Sequence, residues 1–135
     1  MSEKDYSGTP LYKKLGIKSG SSVAFVNAPD GFVSALAMPP GVELTDKERK
    51  DLDVAVVFVT RLKDLRARFP KLADAVYPAG GLWIAYPKKS SSIEGDLNFD
   101  NVQQLGLDEG LVDNKSCAID EDYSGLRFVY RLEDR

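Results

Sequence analysis

The sequence predicts an α/β domain, a three-layer sandwich whose sheet is mostly parallel and ends in an antiparallel hairpin. Short apolar runs rich in β-branched residues alternate with segments whose apolar residues recur at helical spacing, which is typical of this class. The last two predicted strands are joined by only a short turn, which favours antiparallel pairing. The 135 residues are enough for one domain with its own core, so we expect a single domain over residues 1–135.

The first part of the chain is predicted to hold two short helices and two strands. Residues 1–9 contain few apolar side chains and are expected to form an arm. Thr9 can cap a helix that has Pro10 in its first turn and ends at Gly16. The predicted elements that follow are a buried strand at 23–26, a helix over 32–36, a weak strand at 42–44 and a charged, exposed stretch over 45–53.

The second part has the clearest patterns. Residues 54–59 form an apolar run, as expected of a strand buried on both faces. Thr60 is predicted to cap the next helix, which Pro70 should kink or restart. The apolar stripe of this helix comprises Leu62, Leu65, Phe69, Leu72 and Val76. Beyond it we expect a strand at 82–86, a helix over 98–106, a strand at 115–119, a turn over 120–125 and a strand at 126–131.

Composition excludes several classes of function. The chain has no histidine and one cysteine, Cys117, which removes His-based nucleophilic systems, disulfide frameworks and Cys-rich zinc sites. We interpret Cys117 as a buried structural residue and predict no catalytic residues, no metal and no cofactor. A net charge of −3 argues against a nucleic-acid partner. No membrane-spanning run or signal core is present, so we expect a cytoplasmic protein without a membrane partner.

A basic cluster lies on the predicted helix after Thr60. It is interpreted as a solvated face, with a nucleic-acid surface as the alternative. Its members are Arg61, Lys63, Arg66, Arg68 and Lys71.

Residues 53–131 resemble the second half of a Rossmann-like, class I methyltransferase fold. In that fold a strand, helix, strand, helix and antiparallel hairpin follow one another. The phrase Tyr77-Pro78-Ala79-Gly80-Gly81-Leu82-Trp83-Ile84 is similar to the proline-glycine-glycine turn before the fifth strand of that fold. The resemblance implies a Rossmann-like architecture.

The chain also resembles a family of small bacterial proteins, common in actinobacteria, that is known only as a domain of unknown function. That resemblance covers nearly the whole chain and implies no activity. It rests on Lys14-Leu15-Gly16-Ile17 with Gly20, on Gly80 to Ile84 running into Pro87-Lys88, on Gly106-Leu107, and on Tyr123-Ser124-Gly125-Leu126-Arg127.

A candidate ligand loop follows the first predicted strand. Asn27, Asp30 and Gly31 lie where dinucleotide and S-adenosylmethionine folds place a glycine-rich turn, but Gly31 is the one glycine between positions 27 and 31. An alternative is a simple turn in which Asp30 caps the next helix. Glu43 is either the acid that binds a ribose after the second strand or a solvated glutamate.

The best candidate site is the loop after the strand at 82–86. Lys88, Lys89 and Ser90 can hold a phosphate or carboxylate, and the alternative is a solvated loop. Thr60 and Arg61 follow the neighbouring strand and are expected to border the same crevice, because the carboxyl ends of parallel strands meet at one edge.

The main functional hypothesis is a non-catalytic, accessory or regulatory Rossmann-like domain. Its partner would be a protein or a small anionic ligand, and a homodimer through the last strand is a third possibility. The alternative is a divergent S-adenosylmethionine-dependent methyltransferase or another enzyme with a nucleotide ligand.

Overall fold

A computed structural model describes residues 9–45 and 50–135. The predicted arm therefore lies outside the described residues, apart from Thr9. The helices are α1 (Leu11–Lys14), α2 (Phe32–Ala35), α3 (Leu62–Val76) and α4 (Phe99–Asp108), and a 3-10 turn covers Leu132–Asp134. The strands are β1 (Ser22–Val26), β2 (Glu43–Thr45), β3 (Val54–Phe58), β4 (Gly81–Pro87), β5 (Leu111–Ala118) and β6 (Tyr123–Tyr130).

The six strands form one sheet in the order β2-β1-β3-β4-β6-β5. Strands β1 to β4 are parallel, and β6 lies antiparallel between β4 and β5. The predicted α/β sandwich with a terminal hairpin is thereby confirmed. Because β1 leads to β2 on one side while β3 lies on its other side, the chain order reverses between β1 and β3.

The sheet has different layers on its two faces. The long helices α3 and α4 cover one face, where Phe69 and Phe128 pack edge to face with their ring centroids 5.6 Å apart. The short helices α1 and α2 cover the other face together with the loop between β5 and β6. On that second face the fully buried Trp83 donates its indole N–H to the Leu15 carbonyl at 3.0 Å. This bond ties the chain before β1 to the centre of the sheet.

Helix α3 begins at a different residue from the one predicted. Arg61, not Thr60, is the N-cap residue and makes no side-chain capping bond. The capping acceptor comes from another loop, since Asp96 Oδ1 accepts from the backbone N–H of Leu62 at 2.7 Å. The helix does not restart at Pro70, which stands inside it. Pro70 is exposed while Phe69 and Leu72 are fully buried, so packing holds the helix together on both sides of the proline.

Two predicted caps near the N-terminus are also wrong. Pro10 itself occupies the N-cap position of α1, without a side-chain capping bond. Asp30 does not cap α2, because Gly31 is the N-cap residue at a φ of 80°. A left-handed φ of this kind is easiest for glycine.

The predicted exposure of residues 45–53 fails at Leu52. Its side chain is buried in the core beneath α3, and its backbone N–H donates to the Ala75 carbonyl at 2.8 Å. Residues 46–49 of that stretch lie outside the described residues.

The terminal hairpin is longer than the sequence pattern indicates. β5 begins at Leu111 and β6 at Tyr123, because cross-strand pairing extends both strands beyond their apolar runs. Gly125 is required in β6, since a Cβ there would lie 2.7 Å from Ile119 Cδ1 and 3.0 Å from the Trp83 ring. Cys117 is only partly buried, contrary to expectation, and burial raises the pKa of its thiol.

Among the residues that the structure describes, no helix is both long enough and apolar enough to cross a membrane.

We expect Gly106→Ala to destabilise the domain. Alanine normally stabilises a helix interior over glycine by about 1 kcal/mol, but a Cβ at this buried position of α4 would overlap the Phe128 ring. The free energy of unfolding should therefore fall by about 1–3 kcal/mol, as measured by urea denaturation. The exposed Gln104→Ala on the same helix is the control and should change it by less than about 0.5 kcal/mol. A stabilised Gly106→Ala would contradict this packing.

Candidate functional site

The candidate site lies at the carboxyl ends of β1 and β3. Ligands of open α/β sheets bind in the crevice outside these ends, at the point where the strand order reverses. Here the reversal falls between β1 and β3. The loop over residues 27–31 leaves β1 at this point, and Thr60 follows β3 after Val59.

Left-handed residues shape the loop after β1. Asn27 has a φ of 61° and Gly31 a φ of 80°. Asparagine tolerates this region better than most residues, so two sharp turns are made with one glycine. A Cβ added at Gly31 would meet no protein atom within 4 Å, so within the protein this glycine is explained by its left-handed backbone conformation.

The first cavity has a volume of about 730 Å³ and lies between this loop, α2 and β2. Its wall combines apolar side chains with the Asp30 carboxylate and the Ser34 hydroxyl, which donates to the Gly31 carbonyl at 3.2 Å. The residues that line it are Ala28, Pro29, Asp30, Gly31, Val33, Ser34, Ala37, Met38, Pro39, Gly41, Val42 and Leu44.

The second cavity, of about 550 Å³, opens on the other side of the loop, against β3 and α3. Its lining residues are Asn27, Phe58, Val59, Thr60, Asp64, Ala67, Arg68 and Tyr123. These residues carry one carboxylate, one guanidinium, one side-chain amide and two hydroxyls, together with two aromatic rings.

Aromatic rings form one wall of the second cavity. Phe58 packs edge to face against Tyr123 at a centroid distance of 5.0 Å and against Phe32 at 4.9 Å. Burial raises the pKa of the Tyr123 phenol, and the negative charges of Asp120 and Asp122 raise it further. The phenol is therefore neutral at pH 7 and can donate a hydrogen bond.

A third cavity, of about 370 Å³, lies beside the loop that follows β4. Lys88 and Lys89 line it together with Ser91, Asn98 and Ser124. The hairpin holds this loop, because the Lys88 N–H donates to the Asp122 carbonyl at 2.8 Å and the Ser91 hydroxyl donates to Asp122 Oδ1 at 3.0 Å.

The end of this loop docks on Thr60. The Asp96 N–H donates to the Thr60 carbonyl at 3.0 Å, while the Asp96 carboxylate caps α3 as described above. A side chain at Gly95 would overlap the Thr60 carbonyl, so the close approach requires glycine. The Asn101 amide donates to the Asp96 carbonyl at 2.8 Å, which links the loop to the first turn of α4. The loop after β4 is thus fixed against the end of β3.

The predicted site residues are divided among these cavities. Asp30 and Gly31 line the first, Asn27 and Thr60 the second, and Lys88 and Lys89 the third. Arg61 and Ser90 are exposed and line none of the three. The structure therefore brings Asn27 to Thr60 but does not bring Lys88 or Lys89 to either of them.

Glu43 does not lie at this crevice. It is the first residue of β2 and pairs with Ser22, the first residue of β1, so it lies at the amino end of the parallel strands. Its carboxylate accepts from the Ser22 hydroxyl at 3.2 Å. The interpretation of Glu43 as a ribose-binding acid is wrong.

Solved structures with a similar architecture include methyltransferases. A TehB-like S-adenosylmethionine-dependent methyltransferase from Corynebacterium glutamicum superposes with a TM-score of 0.60 at 8% identity, covering 90% of this chain and 86% of its own. Magnesium protoporphyrin IX methyltransferase from Synechocystis, solved with bound S-adenosylhomocysteine, superposes with a TM-score of 0.62 at 11% identity. The match covers 96% of this chain and 83% of that protein. A ribosomal protein L11 methylase from Lactobacillus delbrueckii superposes with a TM-score of 0.61 at 11% identity, and the match covers 97% of this chain and 81% of that protein.

The fold of this chain is that of the class I methyltransferases. The predicted methyltransferase-like architecture is thereby confirmed. No family model matches the sequence, and no curated protein matches it. The resemblance to the actinobacterial family therefore stays a prediction.

These neighbours overturn our main functional hypothesis. We expected a non-catalytic accessory domain because the loop after β1 holds a single glycine, whereas several solved structures of this fold are methyltransferases. They favour the alternative that the sequence left open. Counting glycines was misleading, since Asn27 supplies one of the two left-handed positions of the loop.

Sequence reasoning missed three polar residues of the second cavity, namely Asp64, Arg68 and Tyr123. Arg68 was assigned to a solvated basic face and Tyr123 to a turn. The available signal was the four-residue spacing of Asp64 and Arg68, which places both on one side of a helix. Their position opposite Asn27 depends on the sheet order, which local patterns do not contain.

We expect Asp96→Ala to destabilise the domain through α3. The substitution removes the acceptor of the Leu62 N–H, and loss of a capping side chain costs about 1 kcal/mol. Asp96→Asn keeps an oxygen acceptor and should cost less. Urea denaturation measures both, with the exposed Glu94→Ala in the same loop as control. Equal stability of Asp96→Ala and wild type would show that this capping bond contributes nothing.

Proposed function

We propose that this protein is a divergent S-adenosylmethionine-dependent methyltransferase. The observation that carries the proposal is the placement of two cavities on either side of the loop over residues 27–31, which leaves β1 at the strand reversal of a methyltransferase-type sheet. In folds of this architecture that position is where a ligand binds.

The first cavity fits the adenosyl group in size and chemistry. Its volume of about 730 Å³ lies within the range of about 300–1,000 Å³ that is typical of small-molecule sites. Val33, Met38 and Leu44 offer apolar surface to a purine ring. The Asp30 carboxylate and the Ser34 hydroxyl offer partners to ribose hydroxyls.

The loop fits S-adenosylmethionine better than a dinucleotide. A pyrophosphate needs several glycines and the N-terminus of a long helix, whereas here one glycine precedes a helix of four residues. S-adenosylmethionine has no phosphate and does not need that arrangement. This favours a methyltransferase over another enzyme with a nucleotide ligand.

When bound, the cofactor supplies a methyl group on a positively charged sulfur. The aromatic wall of the second cavity, formed by Phe58 and Tyr123, would then orient the acceptor, and positioning of two reactants supplies much of the rate of such bimolecular reactions. The neutral phenol of Tyr123 can hydrogen-bond an acceptor oxygen or nitrogen. The absence of histidine is compatible with this chemistry.

Two further proposals concern the location of the protein and its family. We also propose a cytoplasmic location for the protein. The actinobacterial resemblance remains the proposed family, supported by Pro87-Lys88 and by the run from Tyr123 to Arg127.

The first test is binding of S-adenosylmethionine and S-adenosylhomocysteine, measured by isothermal titration calorimetry. We expect Ser34→Trp to abolish binding, because Ser34 is exposed on α2 and faces the first cavity. Ala35→Trp is the matched control, since Ala35 is the exposed neighbour on the same helix and does not line the cavity. It should bind like the wild type.

Absence of binding to either adenosyl compound at millimolar concentration would refute the function. Binding by Ser34→Trp that equals that of the wild type would instead move the site away from the first cavity. Where binding is found, transfer of a labelled methyl group to a panel of oxygen, nitrogen and sulfur acceptors tests catalysis itself.

A further inference from the structure

We propose that Asp64 and Arg68 hold the amino-acid end of the cofactor in the second cavity. The inference rests on the proposed function and specifies how the ligand is oriented. The adenosyl group would occupy the first cavity, and the chain of the methionyl group would pass the loop after β1 to reach α3.

The positions of the two residues support this assignment. Asp64 lies in the first turn of α3 and Arg68 one turn later, and both line the second cavity with Asn27 and Thr60. Leu65 and Phe69, one position further along, are fully buried against the sheet. Asp64 and Arg68 therefore lie on the side of α3 that borders the crevice, and Arg68 is partly buried there.

Their chemistry matches a zwitterion. The methionyl end carries an ammonium and a carboxylate on one carbon atom, so its two charges lie close together. The guanidinium of Arg68 can bind the carboxylate with two parallel hydrogen bonds, and the carboxylate of Asp64 can accept from the ammonium. The Asn27 amide and the Thr60 hydroxyl, which face the same cavity, supply further polar partners.

This arrangement also accounts for the single glycine of the loop. Glycine-rich loops bind their ligands by close approach of the backbone. Here the loop has one glycine, which adopts a left-handed φ, and charged side chains of α3 line the ligand space on the other side. Recognition by side chains would replace recognition by backbone N–H groups.

The test compares S-adenosylhomocysteine with 5′-methylthioadenosine by isothermal titration calorimetry. In both compounds an uncharged thioether sulfur is joined to the adenosyl group, but only the first carries the zwitterionic amino-acid end. We expect the wild type to bind S-adenosylhomocysteine more tightly. Asp64→Asn and Arg68→Gln should each weaken that binding about tenfold and leave the affinity for 5′-methylthioadenosine unchanged.

Two control variants remove the same charges elsewhere on α3. Arg66→Gln and Asp74→Asn change exposed residues that do not line the cavity, and they should bind both compounds like the wild type. Thermal unfolding of all four variants verifies that they fold. If the Asp64 and Arg68 variants fail to fold, Arg68→Lys is the substitute, because it keeps the charge but loses the two-pronged geometry. It should still weaken the binding of S-adenosylhomocysteine and leave the binding of 5′-methylthioadenosine unchanged.

The outcomes are distinct. Equal wild-type affinity for the two compounds would overturn this inference and leave the proposed function standing. If the Asp64 and Arg68 variants bind both compounds equally more weakly than the wild type, these residues have a structural role, and the inference is overturned as well. Failure of the wild type to bind either compound would overturn the proposed function and this inference together.

Discussion

The antiparallel pairing of β6 with β4 is the interaction on which the rest of the structure depends. Its register joins Leu82 to Phe128 at one end and Pro87 to Tyr123 at the other. Because β6 runs against β4, its first residue reaches the edge where the parallel strands end. The turn before β6 therefore holds the loop after β4 through Asp122, and the same pairing places Tyr123 against Phe58.

The crevice follows from that pairing and from the helix on the opposite face. α3 is fixed by its buried stripe and by Asp96, which reaches it from the loop after β4. One loop thus sets the start of α3 and contacts the end of β3 through Thr60. The charged side of α3 is left facing the loop after β1 because the apolar side is committed to the core. The second cavity is the space that these constraints leave between them.

Local patterns were sufficient for the elements that are buried on both faces. β1, β3 and β4 are apolar along their length, and the stripe of α3 has helical spacing, so each could be predicted from its own residues. The predictions that were wrong concern contacts between residues that are distant in the sequence. Asp96 caps a helix that begins 34 positions earlier, and Tyr123 joins β6 through its pairing with Pro87. The division of Asn27, Thr60 and Lys88 among cavities likewise requires the sheet order.

The error about function has a physical origin in the same distinction. A glycine-rich loop is a local signal, and its absence was treated as the absence of a ligand site. Yet a crevice is made by topology, wherever neighbouring parallel strands send their connections in opposite directions. The sheet keeps that reversal between β1 and β3, and Asn27 with Gly31 gives the loop its turns. The absence of a glycine-rich motif therefore indicates how a ligand is held, and it does not decide whether a ligand is bound.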